Sequence, residues 1–257
     1  MEIPDYMALK QIFFKSLILC GLCLSGVHAV AQSRVFRQSL IWTRYYAKVR
    51  VGSRGVFHSE YDNRIFLSPS VRQHQFITHQ HYHYVHNPAM ESWIGASYSV
   101  VSSQKPENQV QLHVPEWRLW QAFSYKHVLS RGALQHRLRW EERFIHQNNG
   151  TNLTPGSRFV FRLRYAAGIQ WPVTKHLDLK MGEEVMVQFG EGVTQAFDQN
   201  RLWAGVDYSF RKPDLHLELL YMWLWQQGSA TTMYNRDILR LTLSQFIQVS
   251  QKAVFPE

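Results

Sequence analysis

Charged residues recur at every second position in the segment 135–144. Because successive side chains of a β-strand point to opposite sides, Arg137, Arg139, Glu141 and Arg143 would share one face of a strand. Rings of arginine select anions in pores, whereas arginines that bridge carboxylates can close a narrow barrel interior. We favour the salt-bridged interior and keep the anion-selecting constriction as the alternative. The full set of lumen or constriction candidates is Arg137, Arg139, Glu141, Arg143, Arg162, Arg164, Glu184 and Arg201.

Histidines are concentrated between His74 and His86. Three of them, His79, His81 and His83, would share a strand face, and imidazole is a common ligand of divalent metals. Three ligands in line on one strand do not readily surround an ion, and the stretch contains no aspartate or glutamate. We therefore predict no metal site and no cofactor, and interpret the three histidines as a polar stripe in a lumen or at its rim.

A hydrolytic site would need a nucleophile, a base and an orienting group within hydrogen-bonding reach of one another. Ser124 with His127, or Ser209 with Asp207 and a loop histidine, are the residues that could be nominated. Nothing in their spacing selects them over other serines and histidines. We therefore predict no catalytic residue, and an enzyme remains an open alternative.

The composition excludes several classes of protein. The chain has 257 residues, of which 45% are hydrophobic and 18% charged, and this is too apolar for an intrinsically disordered protein. Its formal charge of +9 is spread between apolar residues, without a basic patch or motif typical of nucleic-acid binding. We therefore expect no nucleic-acid partner. External arginines and lysines would instead meet lipopolysaccharide phosphates.

The N-terminal segment 1–31 has the layout of a secretory signal peptide. Lysines precede a short apolar run, and a small-residue cleavage motif ends at Ala31. Both cysteines, Cys20 and Cys23, lie in this segment, so the exported chain 32–257 would have no thiol for a disulfide or a metal site. We predict export through a Sec-type signal peptide and a single barrel domain over 32–257.

From Arg37 to about Val249 the hydropathy pattern has a period of two, which indicates β-strands, and helix signals are nearly absent. The predicted fold class is therefore all-β, an antiparallel transmembrane β-barrel of about 10–12 strands. Single-chain bacterial barrels have an even strand number, so we expect one early segment to be miscounted or to lie outside the wall. The pattern resolves about eleven segments, at 38–51, 55–66, 70–85, 91–103, 116–129, 133–147, 157–171, 176–189, 197–211, 214–226 and 236–248.

The charged faces of these segments decide which side points inward. Arginines with interspersed carboxylates suit a confined interior better than a water-exposed surface. The apolar faces would therefore point outward into lipid, as they do in outer-membrane barrels. Aromatic girdles at the strand ends would include Trp42, Trp93, Trp117, Trp120, Trp171, Trp223 and Trp225.

The predicted connection lengths also agree with an outer-membrane barrel, in which short periplasmic turns alternate with longer external loops. This alternation would place the C-terminus in the periplasm. The longer loops are predicted at 104–115, 148–156, 190–196 and 227–235.

Four segments together resemble a known bacterial family. They are PEWRLWQAFSYKH at 115–127, RLRWEERF at 137–144, RLRY at 162–165 and FDQNRLWAGVDYSF at 197–210. The ordered set is similar to the uncharacterised family of domain of unknown function 2490, from about Leu40 to Leu243. The resemblance implies an exported outer-membrane β-barrel, and it implies no activity or catalytic residue.

These patterns predict a barrel in the outer membrane of a Gram-negative bacterium and leave three functions open. The first is a non-enzymatic, porin-like narrow pore or a structural or binding barrel, surrounded by outer-membrane lipid, with a small anion as its candidate solute. The second is an outer-membrane lipid-modifying enzyme, either a hydrolase or an acyltransferase. The third is a soluble periplasmic β-barrel binding protein. A protein partner, whose identity is not predicted, would bind the loops 104–115 and 227–235.

Overall fold

The computed structural model describes residues 34–210 and 214–247. These residues form eleven β-strands, along which successive side chains point to opposite faces. Within these ranges there is no helix long and apolar enough to cross a membrane. The predicted signal peptide at 1–31 lies outside the described residues. The strands are β1 (Arg34–Val51), β2 (Gly55–Ser68), β3 (Arg72–Asn87), β4 (Met90–Val101), β5 (Val114–Val128), β6 (Ala133–Asn148), β7 (Leu153–Pro172), β8 (Leu177–Gly190), β9 (Phe197–Ser209), β10 (Leu215–Ser229) and β11 (Thr232–Ile247).

The eleven strands follow one another around a single closed barrel, and β11 is hydrogen-bonded back to β1. Every consecutive pair is antiparallel. The all-β class and the predicted range of strand numbers are therefore confirmed. The expectation of an even number is wrong, because the early segments 55–66 and 70–85 both form strands of the wall, β2 and β3.

The odd strand number makes the closing pair parallel. Each antiparallel pairing reverses the chain direction, so β11 runs in the same direction as β1. Contacts across this seam agree: the rings of Phe36 and Tyr234 lie 5.7 Å apart, and Arg236 donates a hydrogen bond to Gln38. In both contacts the two residues are 198 positions apart in the sequence, and a constant separation of this kind is what parallel strands require. The beginning of β1 therefore lies beside the beginning of β11.

Most apolar side chains of the wall point outward, and most of its charged side chains point inward. On β6, Leu138 and Phe144 are 40% and 39% exposed, whereas Arg139 and Glu141 are 7% and 0% exposed. A water-soluble barrel would have the opposite arrangement, with its apolar faces in the core. Exposed apolar residues on the other strands include Leu119, Tyr165, Leu179, Met181, Leu202, Leu219, Tyr221, Leu239 and Leu241.

Two outward carboxylates, Glu183 and Asp237, have hydrogen-bond donors on the same surface. The side-chain amide of Asn200 donates to Glu183 at 2.9 Å, and the hydroxyl of Tyr221 donates to Asp237. A polar group on an apolar surface costs less free energy when it is hydrogen-bonded. These pairs therefore fit an exterior that is otherwise apolar.

One side of the interior is apolar. The cluster lies on β1, β2, β10 and β11, so it packs behind the parallel seam. Burial of each large apolar side chain contributes about 1.5–3 kcal/mol, and the cluster therefore stabilises the closure of the barrel. Its members are Leu40, Trp42, Phe66, Met222, Leu224 and Ile238, with Trp203 packed against them.

The two ends of the barrel differ in their connections. The loop predicted at 104–115 is present and spans 102–113, and that predicted at 190–196 spans 191–196. The prediction of long loops at 148–156 and 227–235 is wrong. The strands β6, β7, β10 and β11 extend into these stretches and leave only short hairpin turns. The turn end carries the connections 52–54, 88–89, 129–132 and 173–176, and the loop end carries 69–71, 102–113, 149–152, 191–196 and 230–231.

Three tryptophans assigned from the sequence to the girdles lie elsewhere. Trp42, Trp93 and Trp120 line the interior, and Trp42 and Trp120 are only 2% and 3% exposed. They occupy the same alternate positions as the inward charged residues of their strands. Trp117 and Trp171, by contrast, are exposed on the outside, as a girdle requires.

Candidate functional site in the barrel interior

The inward side chains enclose a cavity of about 770 Å³. In the described part of the chain, eleven arginines and three lysines line it, together with five glutamates. Four more buried carboxylates, Asp62, Glu141, Asp198 and Asp207, contact the lining residues. Basic groups still exceed acidic groups, so the interior carries a net positive charge.

Glu141 is the centre of the first ion-pair network. Its carboxylate is fully buried and accepts hydrogen bonds from Arg162 at 2.7 Å and from Arg164 at 2.7 Å. Arg139 forms an ion pair with the same carboxylate at 2.8 Å. Arg162 also donates to Asp198 at 3.1 Å. A single carboxylate is thus shared by three guanidinium groups from two neighbouring strands.

Glu184 on β8 extends this network around the wall. Arg164 donates to Glu184 at 2.8 Å as well as to Glu141, so it links the two carboxylates. Arg137 donates to Glu184 at 2.8 Å, and Arg201 approaches it at 3.4 Å. Four strands, β6 to β9, are therefore joined by one continuous set of ion pairs.

Glu116 on β5 holds a separate pair of arginines. Arg118 donates to it at 2.7 Å and Arg143 at 2.5 Å. With Arg143, all eight lumen candidates predicted from the sequence have now been placed. Each of them points into the interior and takes part in an ion pair.

Lys180 and Arg240 belong to a network that the sequence did not reveal. Lys180 donates to Asp207 at 2.5 Å and to Glu218 at 3.0 Å, and Arg240 donates to Glu218 at 3.0 Å. These residues also alternate with outward apolar residues on β8 to β11, and that alternation is the signal by which they could have been found.

A further missed network lies on β1 and β2. Arg44 contacts Glu60 at 3.0 Å and Asp62 at 3.3 Å, and Arg64 donates to Asp62 at 2.7 Å. The pattern of these early strands is interrupted by polar residues on both faces, which hid their inward side in the sequence.

Two inward tryptophans hold guanidinium groups over their rings. The guanidinium carbon of Arg139 lies 3.7 Å from the ring centre of Trp120, and that of Arg64 lies 3.8 Å from Trp42. Such cation–π contacts strengthen when they are desolvated. The misassigned tryptophans therefore orient the arginines of the interior rather than anchor the barrel in lipid.

Arg236 is the exception among the buried arginines. It is 2% exposed and donates to the side-chain oxygens of Gln38, Gln226 and Gln104 at 2.8, 2.5 and 2.6 Å. Among the described residues no carboxylate lies within 4.0 Å of it. Its charge is therefore held by neutral amides next to the cavity.

The loop 102–113 supplies one of these amides. The side-chain amide of Gln38 donates to the backbone oxygen of Gln104 at 2.7 Å, and the backbone N–H of Ser102 donates to the carbonyl oxygen of His74 at 2.8 Å. The start of the loop is thus tied to β1 and β3 and places Gln104 in the cavity lining.

The histidine stripe predicted on β3 is divided. His79 is hydrogen-bonded to the hydroxyl of Ser97, which also accepts from the indole of Trp120 at 2.8 Å. His81 and His83 instead meet His58 of β2, and one ring nitrogen from each lies within 4.8 Å of the other two. The sequence reading missed His58, because only the strand register shows that His58 is opposite His81.

The serines and histidines that could be nominated for catalysis do not form a triad. Ser124 points inward and His127 is exposed, three residues further along the same strand. Ser209 and Asp207 both approach His216, at 3.0 and 3.5 Å, but through the same ring nitrogen, Nδ1. A triad needs the base to contact its two partners through opposite nitrogens.

Comparisons with known proteins give one family and little else. No curated protein matches the chain. Among solved structures, it is similar to a crystal structure of a mutant ferric enterobactin receptor from Pseudomonas aeruginosa, with 10% identity and a TM-score of 0.31. The match covers 68% of this chain and 35% of that receptor, about a third of its length, and carries no argument about function.

The resemblance noted in the sequence has a direct counterpart in a family model. The model described as protein of unknown function (DUF2490) matches residues 40–235, a span that runs from β1 into β11 and includes all eight lumen candidates. The chain therefore belongs to the DUF2490 family.

Proposed function

We propose that this chain is an exported, non-enzymatic β-barrel of the outer membrane whose basic interior admits small anionic solutes. The observation that carries the proposal is the inverted wall, with exposed apolar residues outside and a net positive, ion-paired interior. The barrel would act as a narrow, anion-favouring passage or as a binding barrel for the same solutes.

The apolar exterior supports the membrane location. Exposed leucines and aromatics occur on every side of the closed wall, and a contiguous apolar surface of this kind is costly in water. Lipid removes that cost, as in other outer-membrane barrels. Arg37 and Arg72 are exposed near the loop end, and lipopolysaccharide phosphates are the partner we propose for them.

The interior charge supports the preference for anions. Most lining arginines are neutralised by neighbouring carboxylates, and these pairs lie inside the barrel. The excess is positive, and Arg236 keeps a charge without a carboxylate partner among the described residues. Small anions would therefore be favoured, while the paired side chains exclude larger solutes.

Neither alternative function gains comparable support. A lipid-modifying enzyme would need a nucleophile with a correctly oriented base, and the nominated residues lack that geometry. A soluble periplasmic binding protein would need its apolar faces in the core, and they are outside.

The test is the ion selectivity of the purified barrel in a planar lipid bilayer. With a tenfold KCl gradient across the bilayer, we expect small conductance steps and a zero-current potential whose sign shows chloride to be more permeant than potassium. Cation selectivity would overturn the proposal. Absence of conductance together with absence of phosphate or sulfate binding by calorimetry would overturn it as well.

A further inference from the structure

We propose that His58, His81 and His83 form a binding site for a divalent transition-metal ion inside the barrel, near the turn end. This site lies next to the ion pair of Arg44 and Glu60, but among the described residues its three ligands form no ion pair with an arginine. The inference does not depend on the solute that the barrel admits. It rests on the arrangement of three buried imidazoles on two neighbouring strands.

Strand register brings the three rings together. His58 on β2 is the direct cross-strand partner of His81 on β3, and His83 is two residues further along β3 on the same face. Directly opposite side chains on a sheet have Cβ atoms roughly 5 Å apart, and diagonal neighbours are still within reach of large side chains. Two strands therefore supply a triangle of ligands, which a single strand cannot.

The distances between nitrogens fit a shared ion. One ring nitrogen from each histidine lies within 4.8 Å of the other two, and Nδ1 of His81 is 2.8 Å from Nε2 of His83. Ligands that bind an ion at about 2.0–2.1 Å are themselves roughly 3.0–3.4 Å apart. An ion between His81 and His83 would therefore require only a small opening of their present hydrogen bond.

A nitrogen of the third ring is also available. Nδ1 of His58 is buried and has no hydrogen-bond partner among the described residues. An ion could take this nitrogen as a ligand without breaking a hydrogen bond that the described residues make. His58 therefore offers a donor atom that the protein itself leaves unused.

The outer nitrogens of the two β3 histidines have partners of the kind found around metal sites. Nδ1 of His83 lies 3.5 Å from a carboxylate oxygen of Glu91. Nε2 of His81 lies 3.4 Å from the hydroxyl of Tyr46 and 3.9 Å from the carboxylate of Glu60. Carboxylates in this position orient a ligating imidazole and strengthen it as a donor. They also offset the positive charge of the interior, which would otherwise repel a cation.

The rings are held by packing on the wall. The ring of Trp93 stacks on that of His83 with centroids 4.1 Å apart, and the ring of His58 also stacks on His83, with centroids 3.7 Å apart. Gly95 is the cross-strand partner of His81, and a Cβ at this position would come within 2.6 Å of the Cβ of His81 and of the ring of Trp120. Glycine therefore leaves the space in which His81 approaches its neighbours.

Imidazole donors specify the class of metal. Nitrogen ligands suit Cu²⁺, Ni²⁺ and Zn²⁺, and affinity at a given site is highest for Cu²⁺ in this series. The three protein ligands leave further coordination positions for water. Cu²⁺ and Zn²⁺ are therefore the probes that test the site.

The experiment uses the untagged full-length exported barrel in detergent, stripped with a chelator and titrated with CuCl₂ or ZnCl₂ in a calorimeter. We expect one equivalent to bind, and the electron paramagnetic resonance spectrum of the Cu²⁺ form to show splitting from several imidazole nitrogens. His58→Gln, His81→Gln and His83→Gln should each weaken binding by about tenfold or more.

His74→Gln is the matched control. His74 is also buried and inward, and its Nδ1 has no hydrogen-bond partner in the part of the chain that the structure describes, but its ring packs on Phe66 outside the triangle. It should leave binding unchanged. Loss of the native gel mobility would identify a variant that fails to fold. In that case the electron paramagnetic resonance spectrum of the unmodified protein with Cu²⁺ shows whether imidazole nitrogens bind the ion. No stoichiometric binding, a spectrum without imidazole nitrogens, or equal weakening in the control would overturn the proposal.

Discussion

Glu141 and Arg162 are direct cross-strand partners on β6 and β7, and their side chains form an ion pair inside the barrel. Continued through the register, the same row contains Trp120, Gly95, His81 and His58. The arginine network and the histidine triangle are therefore two parts of one inward row, which winds around the wall because the strands of a barrel are staggered.

The stability of the barrel should depend on Glu141. Replacement by glutamine removes the charge shared by three arginines, and loss of one partner of a buried ion pair costs about 3–5 kcal/mol. We expect Glu141→Gln to lower the free energy of unfolding by that amount in urea titrations followed by tryptophan fluorescence. Glu142→Gln, at the neighbouring outward position, should change it little, and equal effects at both positions would contradict the assignment.

A charge on the outer wall should distinguish lipid from water. Leu241 is exposed near the middle of β11, where an arginine facing lipid costs about 2–4 kcal/mol. Leu241→Arg should therefore destabilise the barrel strongly in phospholipid vesicles. Ile247→Arg, at the outward position that ends the same strand at the turn end, should cost only about 0–1 kcal/mol. A neutral effect of Leu241→Arg would indicate that this surface faces water.

The parallel seam makes a prediction about cross-linking. Phe36 and Tyr234 point to the same side and their rings are 5.7 Å apart, so a Phe36→Cys, Tyr234→Cys pair should form a disulfide on mild oxidation. Residues 32–257 contain no other cysteine to compete. The control pair, Phe36→Cys with Ile247→Cys, should remain unlinked. Cross-linking of the control pair instead would indicate an antiparallel seam and a different strand number.

Arg236 should contribute to the preference for anions. Its charge is compensated by three glutamine oxygens and by no carboxylate among the described residues. Arg236→Gln should reduce the chloride-to-potassium permeability ratio by about twofold or more, since fixed arginine charges favour anions in a pore. Arg131→Gln, which is exposed in a connection at the turn end, serves as the control and should leave the ratio unchanged.

Alternation in the sequence predicted the strands and the inward face of β6 to β9, because a residue's side of a strand depends only on its parity. Arg137, Arg164 and Glu184 were identified in this way. The parity of Trp42 and Trp120 carried the same information, but their residue type suggested a girdle, and that expectation was wrong. The triangle of His58, His81 and His83 could not be predicted, since it depends on the register between two strands.

The prediction of long loops at 148–156 and 227–235 was wrong for a related reason, because it too depended on pairing between strands. Glycine, asparagine and threonine in these stretches are typical of loops, yet the neighbouring hairpins extend through most of them. Pairing with an adjacent strand outweighs the weak local preference of such residues.

The central claim is that this inverted wall lies in the outer membrane. It is tested most directly by gel migration of the exported protein from the outer-membrane fraction, with and without boiling. We predict that the protein is in this fraction and migrates as a compact barrel until heat unfolds it. Recovery of the protein as a soluble periplasmic species, with the same mobility before and after boiling, would contradict the account.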